Sequence, residues 1–185
     1  QAMAAYGCHV HVYDHTSNPP VVWRGDVLPP DGRYMTREGA SRVTFFKQAL
    51  GTFDTALTVT VATAVRRLIT ATGAPAVDVF KLDCEGCEFS ALTTYAAATT
   101  LARGVRQLAV ELHFNLGTPG ASWFGVQGTR PEDEGARRMH ALWTTLHGKA
   151  GMWPFHKEPN IQFSRGDCVE LSFVNRRLTR NAEGG

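Results

Sequence analysis

The run Val77–Leu82 is the segment that most constrains what this chain can fold into. It is short and mainly apolar, it ends abruptly at Asp83 and Glu85, and it turns at Gly86 before a predicted helix. In an open α/β sheet, ligands bind at the carboxyl ends of the strands. The segment therefore predicts a buried strand whose end carries two carboxylates into a ligand site.

Strand and helix patterns alternate along the rest of the chain. Helices are predicted at 1–6, from 61 until Gly73, at 87–101 and from Pro131 to His147, and strands at 8–13, 43–50, 77–82 and 108–114. Such alternation favours a parallel sheet with helices on both faces. Two segments, 161–163 and 168–174, flank a turn sequence and predict a closing antiparallel hairpin.

Composition limits the classes of function. The 185 residues suit one domain, and the net charge of +2 comes from scattered basic residues, which gives no case for a nucleic acid partner. No apolar run approaches the roughly 20 residues of a membrane-spanning helix. Four cysteines permit disulfides without requiring them. The spacing Cys84-x-x-Cys87 could indicate a redox or half-zinc motif, but no second pair completes a tetrahedral site, so this interpretation is disfavoured.

Several motifs carry a family resemblance. The stretch 81–88 resembles the Lys-Ile-Asp-x-Glu-Gly-x-Glu signature of FkbM-like, class I S-adenosylmethionine-dependent methyltransferases. The segment 7–14 is similar to the second strand of that family, 107–114 to the fifth strand of its eukaryotic methyltransferase-like branch, and 170–175 to its closing strand. The signature is fairly specific, whereas the other matches gain their weight from their order.

The resemblance implies a fold, a cofactor and a reaction. The expected fold is an α/β, Rossmann-like class I methyltransferase sheet, mostly parallel with a C-terminal antiparallel hairpin. The expected domain covers 1–175, with a tail at 176–185. The cofactor would be S-adenosylmethionine, and the methyl group would pass to an oxygen or nitrogen of a small-molecule or glycan-like acceptor.

One element of the family pattern is missing from the sequence. No Gly-x-Gly tract precedes Asp14, although class I methyltransferases grip the methionine end of the cofactor with a glycine-rich loop. We expect an N-terminally truncated domain that lacks the first strand and binds the cofactor poorly. The alternative is a non-enzymatic remnant that acts only through binding.

The resemblance assigns the cofactor to residues at three strand ends. Asp14 would accept hydrogen bonds from the ribose hydroxyls, and the alternative is an aspartate that begins a turn. The assigned cofactor-binding residues are Asp14, Leu50, Gly51 and Asp83.

Catalytic roles are expected for Asp83, Glu85, Glu111 and His113. Asp83 and Glu85 could accept a proton or help to hold a metal, or they could simply cap the following helix. Glu111 and His113 are two positions apart on one strand and share a face, which suits an acid/base pair or part of a metal site. The alternative is a satisfied buried histidine. Lys81 is either a neutralising partner or a catalytic group, and no residue is assigned as a metal ligand.

Overall fold

The structure is a computed structural model that describes residues 7–16, 42–113, 131–159 and 168–179, with side chains of the third range described from 135. The chain forms two compact units, Gln1–Ala74 and Pro75–Gly185. The predictions for 1–6, most of 15–40, 114–130 and 161–163 lie outside the described residues.

The first unit contains two short parallel strand pairs. Strand β1 (Val10–Tyr13) pairs with β2 (Val43–Phe46), and β3 (Ala49–Leu50) pairs with β4 (Thr58–Val59). The single strand predicted at 43–50 is therefore two strands with different partners. The side chain of Gln48, which lies between them, donates to the carbonyl of Thr55 in the next loop.

Helix α1 (Val61–Thr72) has a defined start and stop. The hydroxyl of Thr60 accepts from the backbone N–H of Thr63, and Asp54 accepts from the backbone N–H of Thr60 at 2.8 Å. Gly73 ends the helix at φ +69°, in the left-handed region that glycine adopts without steric cost. The predicted helix and its glycine stop are confirmed.

The second unit is built on a four-stranded mixed sheet in the order β5-β6-β8-β7. Strands β5 (Val77–Leu82) and β6 (Val105–His113) are parallel, whereas β8 (Cys168–Asn175) is antiparallel to both of its neighbours, β6 and β7 (Met152–Pro159). The predicted strand at 77–82 and the antiparallel closing strand are confirmed. Strand β5 is not the buried strand expected, because only its ends, Val77 and Leu82, are buried and Val79 is 40% exposed. The mixed α/β architecture is compatible with a methyltransferase fold.

Strand β8 pairs antiparallel with β7, a strand that the sequence pattern does not predict. The segment predicted as its hairpin partner, 161–163, lies outside the described residues. Strand β7 carries Pro154 and Pro159 and has a register shift between Pro154 and His156. It lies at the edge of the sheet, where proline is tolerated because one side of the strand needs no ladder hydrogen bonds.

The helix predicted at 87–101 is two helices, α2 (Glu88–Leu92) and α3 (Tyr95–Gly104). The chain breaks between them because Thr94 takes an extended conformation and its hydroxyl accepts from the backbone N–H of Ala97. Helix α4 (Pro131–Trp143) continues into a π-helical segment, Thr144–Lys149, and α5 (Arg176–Thr179) follows β8.

The two faces of β6 have different roles. Helices α2 and α3 contact β6, and the apolar face of this strand is fully buried together with leucines of the helices: Leu92, Leu101, Leu108, Val110, Leu112. Glu111 and His113 project from the opposite face because side chains alternate along a strand. Within the described ranges, no helix is long and apolar enough to span a bilayer.

Candidate functional site

Three predicted residues meet at the carboxyl ends of the parallel strands β5 and β6. Asp83 and Glu85 lie on the loop after β5, and His113 is the last residue of β6. The His113 Nε2 atom lies 3.8 Å from Asp83 Oδ1 and 3.5 Å from Glu85 Oε2. The imidazole is only 5% exposed, whereas the carboxylates are 43% and 79% exposed. The cluster is therefore anchored in the protein on the histidine side and open on the carboxylate side.

A third acid, Glu88, contacts the other nitrogen of His113. It is the first residue of α2 and is fully buried. Its carboxylate accepts from the backbone N–H groups of Cys84 at 3.0 Å and Gly86 at 2.9 Å, and lies 2.9 Å from His113 Nδ1. When Nδ1 donates to Glu88, the lone pair of Nε2 points toward Asp83 and Glu85.

The sequence interpretation assigned no role to Glu88. The signal available was its position as the final acid of the quoted signature. Helix capping had been considered for Asp83 and Glu85, but the carboxylate that accepts these backbone N–H groups is that of Glu88.

The loop between β5 and α2 has an unusual backbone. Glu85 has φ +56°, a left-handed conformation uncommon for a residue other than glycine, and Gly86 has φ +110°. A disulfide joins Cys84 to Cys87 across this turn. The two thiols of the Cys-x-x-Cys motif are therefore bonded to each other in this structure. The disulfide and the hydrogen bonds to Glu88 together fix the position of the Glu85 backbone, from which its side chain projects.

A second, buried group shares His113. Glu111 lies on the same face of β6, and Cys168 is opposite His113 in the antiparallel pairing with β8. One donor atom each from Glu111, His113 and Cys168 lies within 4.8 Å of the other two, and the same holds for Asp83, Glu85 and His113. The structure thus brings all four predicted catalytic residues to one region, and their roles stay predictions.

The electrostatics of the region are dominated by carboxylates. Burial raises the pKa of Asp83 above its ordinary value, and the negative charge of Glu111 raises it further. Lys81 forms an ion pair with Glu170 at 2.7 Å, so its nearest partner lies on β8. Burial lowers the pKa of Lys81, but the hydrogen bond and charge of Glu170 outweigh this and raise it overall.

The other predicted cofactor residues lie in the first unit. Asp14 Oδ1 accepts from both the backbone N–H of Thr16, at 2.8 Å, and its hydroxyl, at 2.7 Å, which is the turn geometry considered as the alternative. Leu50 ends β3, and the backbone N–H of Gly51 donates to the carbonyl of Val59 at 2.9 Å. Each of these residues, like Asp83 in the second unit, stands at or just beyond a strand end.

Parallel strands whose carboxyl ends carry acidic and imidazole groups define an α/β protein, and in open α/β sheets ligands bind at this edge. A family model described as a methyltransferase domain matches residues 1–175. The chain therefore belongs to the methyltransferase domain family, and the resemblance is confirmed at that level. No curated protein matches the chain.

Proposed function

We propose that this domain belongs to the FkbM-like branch and transfers a methyl group from S-adenosylmethionine to an oxygen or nitrogen acceptor. Family membership supports methyl transfer in general. The observation that carries the proposal is the placement of His113 between buried Glu88 and the two open carboxylates, Asp83 and Glu85. A purely structural histidine would be satisfied by Glu88 and would need no acids beside its second nitrogen.

The residues of the first unit fit the proposed cofactor by their chemistry. Asp14 already accepts an N–H and a hydroxyl, and the hydroxyls of a ribose are donors of the same kind. Leu50 and Gly51, half-buried at the end of β3, would contribute an apolar side chain and close backbone approach. When bound, S-adenosylmethionine supplies an electrophilic methyl group on a positively charged sulfur.

The cluster in the second unit supplies the proton acceptor. The hydroxyl or amine of the acceptor would face Asp83, Glu85 and His113, and its proton would pass to this cluster as the acceptor's lone pair takes the methyl group. Glu88 holds the imidazole in one orientation, so little reorganisation is needed at the moment of transfer. The raised pKa of Asp83 makes its carboxylate a better base than an ordinary surface aspartate.

The test measures release of S-adenosylhomocysteine with a panel of small hydroxyl and amine acceptors. The 185-residue chain is assayed at high concentrations of S-adenosylmethionine, since the sequence predicts weak cofactor binding. Asp83→Asn should lower turnover by about 10²–10⁴ with cofactor affinity little changed.

Asp78→Asn is the matched control, because Asp78 lies on β5, which leads into Asp83, is 85% exposed and contacts Arg106 instead of the cluster. Its turnover should equal that of the unmodified protein. If the chain binds S-adenosylmethionine and transfers methyl to none of the acceptors, the binding-only alternative replaces the proposal. Equal turnover of Asp83→Asn and Asp78→Asn would remove the cluster from the mechanism.

A further inference from the structure

We infer that Asp83, Glu85 and His113 form a binding site for a divalent transition-metal ion of the zinc class. Binding itself needs no methyl transfer, whereas the catalytic role suggested below rests on the proposed function. Three properties of the cluster favour such an ion: the spacing of its donor atoms, the contact between its histidine and Glu88, and its negative charge.

The spacing of the donor atoms suits an ion better than direct hydrogen bonds. Nitrogen and oxygen ligands lie about 2.0–2.2 Å from Zn²⁺, so two ligands of a tetrahedral site are about 3.4 Å apart. The His113 Nε2 atom is 3.5 Å from Glu85 Oε2 and 3.8 Å from Asp83 Oδ1. Both distances exceed the 2.7–3.2 Å typical of N–H···O hydrogen bonds. The carboxylates therefore surround Nε2 at the separations that a shared ion requires.

His113 contacts a buried carboxylate through its second ring nitrogen, as metal-binding histidines commonly do. Histidine ligands characteristically donate their other ring N–H to a carboxylate, which fixes the tautomer and raises the basicity of the ligand. Glu88 lies 2.9 Å from Nδ1, is fully buried and is itself held by two backbone N–H groups. The nitrogen that faces Asp83 and Glu85 is therefore the one with an available lone pair.

The charge of the region favours a cation. The acids Asp83, Glu85 and Glu111 all lie near His113. The Lys81 ammonium group forms an ion pair with Glu170 and also acts on Asp83 and Glu111, so one cation is set against these three acids. Because Asp83 and Glu85 are partly exposed, an ion held here would keep a coordination position open to an outside ligand, as catalytic sites do.

An acceptor hydroxyl in that open position would lose its proton more readily, because a bound metal lowers the pKa of a coordinated oxygen. Within the proposed function, the ion would thus activate an oxygen acceptor whose proton passes to solvent at the exposed side of the cluster. Asp83 and Glu85 would then act as ligands in place of accepting the proton themselves.

The experiment is titration of ZnCl₂ into the chelator-treated, dialysed 185-residue chain, followed by calorimetry. No reductant is present, so that the Cys84–Cys87 disulfide stays closed and its thiols cannot bind the metal. Absorption of Co²⁺ in the visible range gives a second readout of coordination. We expect one equivalent to bind.

Glu85→Gln is the sharpest variant, because the side chain is 79% exposed and its loss leaves the packing intact. It should weaken Zn²⁺ binding at least about tenfold, as should Asp83→Asn. The matched control is Glu158→Gln: Glu158 also lies 3.5 Å from a histidine nitrogen, that of His156, but neither residue belongs to a three-ligand group among the described residues. It should leave the affinity within about twofold.

Absence of binding, or equal affinity in Glu85→Gln, Asp83→Asn and the control, overturns the metal site. The two proposals fail separately. Zinc binding by this cluster without methyl transfer contradicts only the proposed function. Methyl transfer that persists in chelator, together with no zinc binding, contradicts only the metal site.

Discussion

Replacement of Glu88 by glutamine should destabilise the second unit strongly, although the two side chains have nearly the same shape. The carboxylate accepts from the backbone N–H groups of Cys84 and Gly86 and contacts Nδ1 of His113, all within 3.0 Å and all shielded from water. A glutamine offers one acceptor oxygen and one donor amide, so it can satisfy only one side of this arrangement.

The magnitude follows from the partners. If the amide oxygen takes the position that faces Cys84 and His113, those two contacts lose their charge assistance, at about 1 kcal/mol each. The amide group then faces the N–H of Gly86, and a buried donor without an acceptor costs about 1–3 kcal/mol. The expected loss in the free energy of unfolding is about 3–5 kcal/mol. Each kcal/mol lost should lower the melting temperature by several degrees.

Urea unfolding followed by circular dichroism measures this difference at neutral pH. Glu158→Gln is the control, since its carboxylate is 68% exposed and should contribute less than about 0.5 kcal/mol. A loss below about 1 kcal/mol in Glu88→Gln would refute the argument, because it would mean that water reaches the carboxylate and replaces its partners.

Three further predictions concern other parts of the fold. Asn175→Asp should cost about 3 kcal/mol or more in the same urea assay, because the buried amide nitrogen donates to three backbone carbonyls at the end of α3 and the start of β6, and an acid offers them no donor. Asp54 accepts from a hydroxyl and a backbone N–H at the start of α1, and these bonds lower its pKa, so it stabilises the first unit above its unfolded pKa of about 3.9 and loses this as pH falls through the lower folded value. Because Asp54 is largely exposed, the stability that the protein loses on acidification through this group should be below about 1 kcal/mol. Unfolding measured across pH should show this loss in the unmodified protein and not in Asp54→Asn. Lys81→Met should cost less than about 1 kcal/mol, and less still in high salt, because the ion pair with Glu170 is half exposed.

The elements that the sequence predicted well have strong local signals. Strand β5 has the predicted bounds because an apolar run is enclosed by Pro75 and Asp83, and α1 ends at a glycine that adopts positive φ. Strand β7 was not predicted, because an edge strand needs neither an apolar face nor an unbroken set of N–H donors and so carries little periodic signal. The break between α2 and α3 was missed because an alanine-rich sequence continues through it, and only the capping bond of Thr94 marks the new start.

Some residues of the candidate site could be predicted from the sequence and others could not. The neighbourhood of Asp83 and His113 was predictable, since carboxyl ends of parallel strands share one edge of a sheet. The place of Glu88 was not, because an acid in the first turn of a helix ordinarily faces solvent and is explained by the helix dipole. Only the tertiary structure shows that this acid is buried between a loop and a histidine.

The departures from local rules are concentrated at one place, and this is an argument that the place has a function. Glu85 adopts a conformation better suited to glycine, Glu88 is a fully buried acid, and His113 is a buried imidazole with carboxylates at both nitrogens. Each feature costs stability, and natural sequences accept such costs mainly where activity requires them. A loop that served only to join β5 to α2 could have used glycine at 85 and an apolar residue at 88. The chain instead keeps the exposed carboxylate of Glu85 beside His113, whose other nitrogen contacts the buried Glu88. The open side of this group is where a methyl acceptor or a metal ion would bind.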